Sequence, residues 1–72
     1  MDVARIKELK LARPFRAFYI LLRDGNRVLV RSSYNVAVAP DGSRVGVTHA
    51  KGVTLLHPDE VRDVDVTAPA LR

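Results

Sequence analysis

The side chains best suited to chemistry in this chain are arginines interleaved with an aromatic ring. Read as two β-strands, residues 15–23 and 27–31 place Tyr19, Leu21 and Leu29 on one outward face beside Arg23, Arg27 and Arg31, with Arg16 just ahead of them. An exposed sheet face is expected to be mostly polar, so apolar side chains there mark a contact surface. Three covers are open: the N-terminal segment folded back, another subunit, or a foreign partner. Guanidinium groups could hold a phosphate backbone while Tyr19 stacks on a base, which makes RNA or DNA the foreign partner to weigh. Only two Tyr and two Phe occur, and no RNP-type motif is present.

Catalysis finds little support. The two histidines, His49 and His57, fall at opposite ends of neighbouring strands, so they do not share a metal. His57 precedes Pro58-Asp59-Glu60 and reads as a cap, with the two acids placed at a helix start. Ser32-Ser33-Tyr34 has hydroxyls but no nucleophile elbow and no evident base, and suits a loop turning a corner. The four glycines fall in or near turns and build no phosphate loop. With no cysteine, thiolate metal sites and disulfides are excluded together. The expectation is a protein that is not an enzyme, with no catalytic residues, no cofactor, no metal and no small-molecule substrate.

A 72-residue chain makes one small domain whose monomer would be marginally stable. Self-association is the common reinforcement once disulfides and metals are excluded. The net charge of +4 is unevenly placed. Residues 1–36 carry eight basic and three acidic side chains, and Asp59, Glu60, Asp63 and Asp65 crowd one short window. Such a split suits a positive flank meeting a neighbour's negative one. No apolar run approaches the ~20 residues that span a bilayer, and the N-terminus has no signal-peptide core. A cytoplasmic homo-oligomer is the expectation, with nucleic acid as the alternative partner and no membrane.

The elements that would position these side chains follow from alternation. Val3, Ile6 and Leu9 recur every three residues, which predicts a helix over 3–11 with Asp2 as N-cap and Pro14 barring continuation. Phe15 to Arg23 and Arg27 to Arg31 form a hairpin. A three-residue loop there keeps Phe18, Ile20 and Leu22 on the face of Val28 and Val30, whereas a two-residue loop would invert one strand. Asn35 to Ala39 is a further strand, and a Pro40–Ser43 loop pairs Val38 with Val45 and Val36 with Val47. A three-residue loop Ala50-Lys51-Gly52 then pairs His49 with Val53 and Val47 with Leu55. A helical turn at Pro58-Asp59-Glu60 precedes a last strand over 62–66, and 67–72 reads as a mobile tail. The predicted core is Ile6, Leu9, Phe18, Ile20, Leu22, Val28, Val30, Val36, Val38, Val45, Val47, Val53, Leu55, Val61, Val64 and Val66.

The segment Arg13-Pro14-Phe15-Arg16-Ala17-Phe18-Tyr19-Ile20-Leu21-Leu22-Arg23-Asp24-Gly25 resembles a family of small bacterial proteins of unknown function. Their hallmark is an Arg-Pro-Phe-x-Pro-Phe-x-Ile-x-Leu-x-Asp-Gly run after a short helix. Ala17 stands where that family has its second proline, and Ser32-Ser33 where it has His-Pro. The resemblance implies no catalytic residue. By element order the chain is also similar to SH3-like and Sm-like proteins, Hfq among them, although the Sm motifs are absent. The expected fold is therefore mainly β: a five-stranded SH3-like or Sm-like barrel over residues 1–66, with an N-terminal α-helix and a short helical turn before the last strand. Its expected role is a non-catalytic module that self-associates by joining sheet edges, with Sm/Hfq-like nucleic-acid binding as the alternative.

Overall fold

The computed structural model describes residues 3–66; the expected Asp2 cap and the 67–72 tail lie outside them. The expected helix forms one residue shorter, α1 over Ala4–Leu11, with Val3 rather than Asp2 at the N-cap position and no side-chain cap. Its stripe of Val3, Ile6 and Leu9 packs on the hydrophobic core, with Ile6 fully buried. Lys10, in the last turn, donates from Nζ to the Ser33 carbonyl at 2.6 Å and the Val36 carbonyl at 2.7 Å. One ammonium thus fixes the helix end to the loop beneath it.

Six strands follow among the described residues: β1 Phe18–Leu22, β2 Arg27–Val30, β3 Val36–Val38, β4 Val45–His49, β5 Gly52–Leu56 and β6 Val61–Asp65. They do not close into a five-stranded barrel. They form two antiparallel three-stranded sheets, ordered β2-β1-β6 and β3-β4-β5. The barrel expectation assumed that successive strands pair, which holds roughly two-thirds of the time. Two short links break the succession. After β2, a 3-10 turn at Ser33–Asn35 redirects the chain, capped by Ser32 Oγ, which accepts from Tyr34 N–H at 3.3 Å and donates to Asn35 Oδ1 at 3.0 Å. After β5, the expected helical turn, a 3-10 turn at Pro58–Glu60, carries the chain back to the first sheet. There β6 pairs with β1 and leaves β5 as an edge.

In the β1–β2 and β3–β4 hairpins strand alternation sets the inward face as expected. Phe18 pairs with Val30 and Ile20 with Val28, which keeps the expected facing, although a loop of residues 24–26 would pair Ile20 with Val30. The loop is Arg23-Asp24-Gly25, closed by Leu22 N–H donating to the Asn26 carbonyl at 2.8 Å. Gly25 in that loop has φ +92°, a left-handed value natural to glycine. Val36 pairs with Val47 and Val38 with Val45, also as expected. The β1–β6 register shifts between Leu21 and Leu22, which leaves Arg62 as the extra residue of a bulge. The bulge re-aims the strand so that Val61 and Val64, three residues apart, both turn inward.

The β4–β5 hairpin corrects the sequence reading. His49 pairs with Gly52 across a two-residue loop, so Val45 pairs with Leu56 and Gly46 with Leu55. A one-residue slip inverts the whole strand. Leu56 is buried, while Val53 and Leu55, expected in the core, are 61% and 68% exposed. The expected register would set His57 inward opposite Val45, where an imidazole would need a polar partner away from water. The observed one puts Leu56 there. His57 turns outward, where its Nδ1 meets Arg44 Nη1 at 3.0 Å. Ala17, which alternation from Tyr19 and Leu21 would turn outward, is buried; it precedes β1, where strand alternation does not apply.

Candidate interaction surface

The outward face of β2-β1-β6 holds most of the residues singled out from sequence. Cross-strand pairing arranges it in rows: Leu29, Tyr19 and Asp65 in one, Arg27, Leu21 and Asp63 in the next. The central strand thus offers Tyr19 and Leu21, half-buried, with Leu29 half-buried beside them. The Arg27 guanidinium lies over the Tyr19 ring, 4.6 Å from its centroid. That contact is a cation–π interaction, and it also buries part of the ring.

Arg23 lies in the turn after β1 rather than on this face. Its Nε donates to the Asp59 carbonyl at 2.7 Å, and its backbone N–H to the Glu60 carbonyl at 3.0 Å, tying the hairpin turn to the 3-10 turn before β6. Arg16 precedes β1 and Arg31 follows β2, both exposed. The structure therefore brings together Tyr19, Leu21, Arg27 and Leu29, and sets Arg16, Arg23 and Arg31 around the margin. Asp63 and Asp65 belong to the same face and were missed as members of it. Their crowding with Asp59 and Glu60 is plain in the sequence, but alternation within β6 cannot say which strand β6 joins.

Since α1 turns its apolar stripe to the core, it is not the cover for Tyr19, Leu21 and Leu29. A second apolar area lies on the outward face of β3-β4-β5. There Ala37, Gly46 and Leu55 form one row, with Val53 and the 92% exposed Tyr34 nearby, around a groove of about 300 Å³.

The remaining polar groups are used locally. His49 Nε2 meets Thr54 Oγ1 at 2.8 Å, and its Nδ1 accepts from Lys51 N–H at 3.2 Å. Glu60 accepts from His57 N–H at 2.9 Å, which ties off the 3-10 turn. Asp41 accepts from Ser43 N–H at 3.0 Å, and hydrogen bonds from the Ser43 side chain and backbone hold its carboxyl below the ordinary value. Among the described residues no group of three His, Cys, Asp or Glu side chains is placed to hold a metal. No helix of the described residues is long and apolar enough to cross a membrane. Comparison with protein-family models, with curated proteins and with solved structures found no match.

Proposed function

We propose that this protein is a non-catalytic interaction module that associates with copies of itself through its β surfaces. The observation that carries the reading is the disposition of the helix. Its apolar stripe is committed to the core, so Tyr19, Leu21 and Leu29 keep an outward apolar face that no element of the described chain covers. Contiguous apolar surface of this kind marks association sites, and small chains without disulfides commonly gain stability by associating. Size-exclusion chromatography with light scattering tests it. An oligomer at micromolar concentration is expected, and a strict monomer up to submillimolar concentration ends the reading.

Nucleic-acid binding through Arg16, Tyr19, Arg23, Arg27 and Arg31 is the weaker reading, for two reasons. The Tyr19 ring, the stacking platform, is already occupied by the Arg27 guanidinium. Asp63 and Asp65 share its face and would repel phosphates. A titration against single-stranded and duplex pools decides it. Binding that weakens steeply with salt, and weakens further in Arg27→Glu, would revive this reading.

A further inference from the structure

The outward face of the first sheet is polarised across its strands. Arg27 lies on β2, Leu21 beside it on β1, and Asp63 beyond that on β6, all in one row. Adjacent strands lie about 4.8 Å apart, so Arg27 and Asp63 are separated by about 10 Å within one chain. The guanidinium rests on Tyr19 and the Asp63 carboxylate accepts from the N–H of Val64 at 2.8 Å. Neither charge meets the other within its own chain. In this row the order across the strands is basic, apolar, acidic; in the row of Leu29, Tyr19 and Asp65 the β2 position is apolar instead.

Such a face is complementary to itself under only one kind of two-fold rotation. A two-fold axis running along the strands, midway between two facing sheets, reverses the order of the columns and keeps each row at its level. It sets Arg27 of each copy against the partner's Asp63, and Leu29 against the partner's Asp65, with Tyr19 and Leu21 of both copies in the middle. An axis across the strands would instead set Arg27 on Arg27 and Asp63 on Asp63. Joining edges side by side would leave Tyr19, Leu21 and Leu29 uncovered, so it does not account for the apolar side chains of this face. We infer that the self-association proposed above is a two-fold, face-to-face dimer of the β2-β1-β6 sheets, registered by two Arg27–Asp63 pairs. This inference rests on the self-association reading and names its surface and symmetry. Closed two-fold dimers are the commonest homo-oligomers, and sheet faces pack with side chains interleaved about 10 Å apart.

Charge reversal with the full-length chain tests the geometry. Arg27→Asp puts a carboxylate against the partner's Asp63 twice in each homodimer, and Asp63→Arg does the same with two guanidinium groups. Sedimentation velocity at low salt should show each variant dimerising about tenfold more weakly than the parent chain. Mixed in equal amounts, the two variants should recover parent-like dimers, because both contacts of the mixed pair then join opposite charges. That recovery also shows that both variants are folded. A control variant, Leu55→Glu on the other sheet, should dimerise as the parent does. If the parent chain dimerises and neither reversal weakens it, or mixing restores nothing, the inference falls while self-association stands. Loss of dimerisation in Leu55→Glu alone would move the interface to the other sheet and overturn it likewise. A strictly monomeric parent chain would overturn both.

Discussion

Replacing Leu56 and Leu55 in turn measures the register of the β4–β5 hairpin directly. Leu56 is 2% exposed and Leu55 68% exposed. Cutting a leucine to alanine removes about three methylene equivalents, each contributing about 0.8 kcal/mol when buried. Leu56→Ala should therefore cost about 2.4 kcal/mol from transfer alone, and about 3–5 kcal/mol once the cavity is included. Leu55, with roughly a third of its surface covered, should lose about 0.8 kcal/mol at most by the same arithmetic. In urea, where a domain this small has a slope near 1 kcal/mol per molar, the Leu56→Ala midpoint should fall by about 3–5 M and the Leu55→Ala midpoint by less than about 1 M. A domain of this size has only about 4–10 kcal/mol of stability, so Leu56→Ala can leave too little folded protein to titrate. The milder pair Leu56→Val and Leu55→Val then reads the same order on a smaller scale. Measurements at low protein concentration keep any association out of the comparison. Equal losses at the two positions, or a larger loss at 55, would refute the observed pairing of Val45 with Leu56 and restore the pairing of Val47 with Leu55.

Gly52, at φ +130°, should resist substitution: Gly52→Ala is expected to cost about 1–2 kcal/mol in thermal unfolding, although open space surrounds it. Gly46→Ala should be tolerated in the same assay, because its added Cβ would meet Leu55 Cδ2 at 3.5 Å and Val53 Cγ1 at 4.0 Å, both ordinary contacts. Lys10→Met keeps the stem but removes the donors to the Ser33 and Val36 carbonyls; a loss of about 1–3 kcal/mol is expected, with faster hydrogen exchange at the 33–36 loop. Asp41 should titrate below its ordinary 3.8, because Ser43 hydrogen-bonds its charged form, and Ser43→Ala should move the NMR midpoint upward. Since this pKa is depressed on folding, its small contribution is present above 3.8 and fades as pH falls through the lowered midpoint. A midpoint unmoved by Ser43→Ala would show that the Ser43 hydroxyl is not the cause and leave the lowering to its backbone N–H.

Local order was legible in this chain wherever one residue pattern had a single physical solution. The spacing of Val3, Ile6 and Leu9, ended by Pro14, admits little but a short helix. The parity of Phe18, Ile20, Val28 and Val30 settles which face the first hairpin turns inward, though not which three residues make its loop. The same holds for Val36 and Val38 against Val45 and Val47. At residues 53–56 the pattern is Val-Thr-Leu-Leu, which offers an apolar side chain to either face, so parity decides nothing there. Only the surrounding core, with Leu56 opposite Val45 and His57 sent outward to Arg44, selects the register.

By itself, the sequence determined the elements, most of the inward-facing residues and the uneven distribution of charge, because period-two and helical spacing are properties of neighbouring residues. Tertiary structure alone decided that β6 returns to β1, that two open sheets replace a closed barrel, and that Arg27 and Asp63 come to flank one apolar column. Strand partners distant in the chain are chosen by how whole surfaces pack, and no local pattern encodes which edge a strand will join.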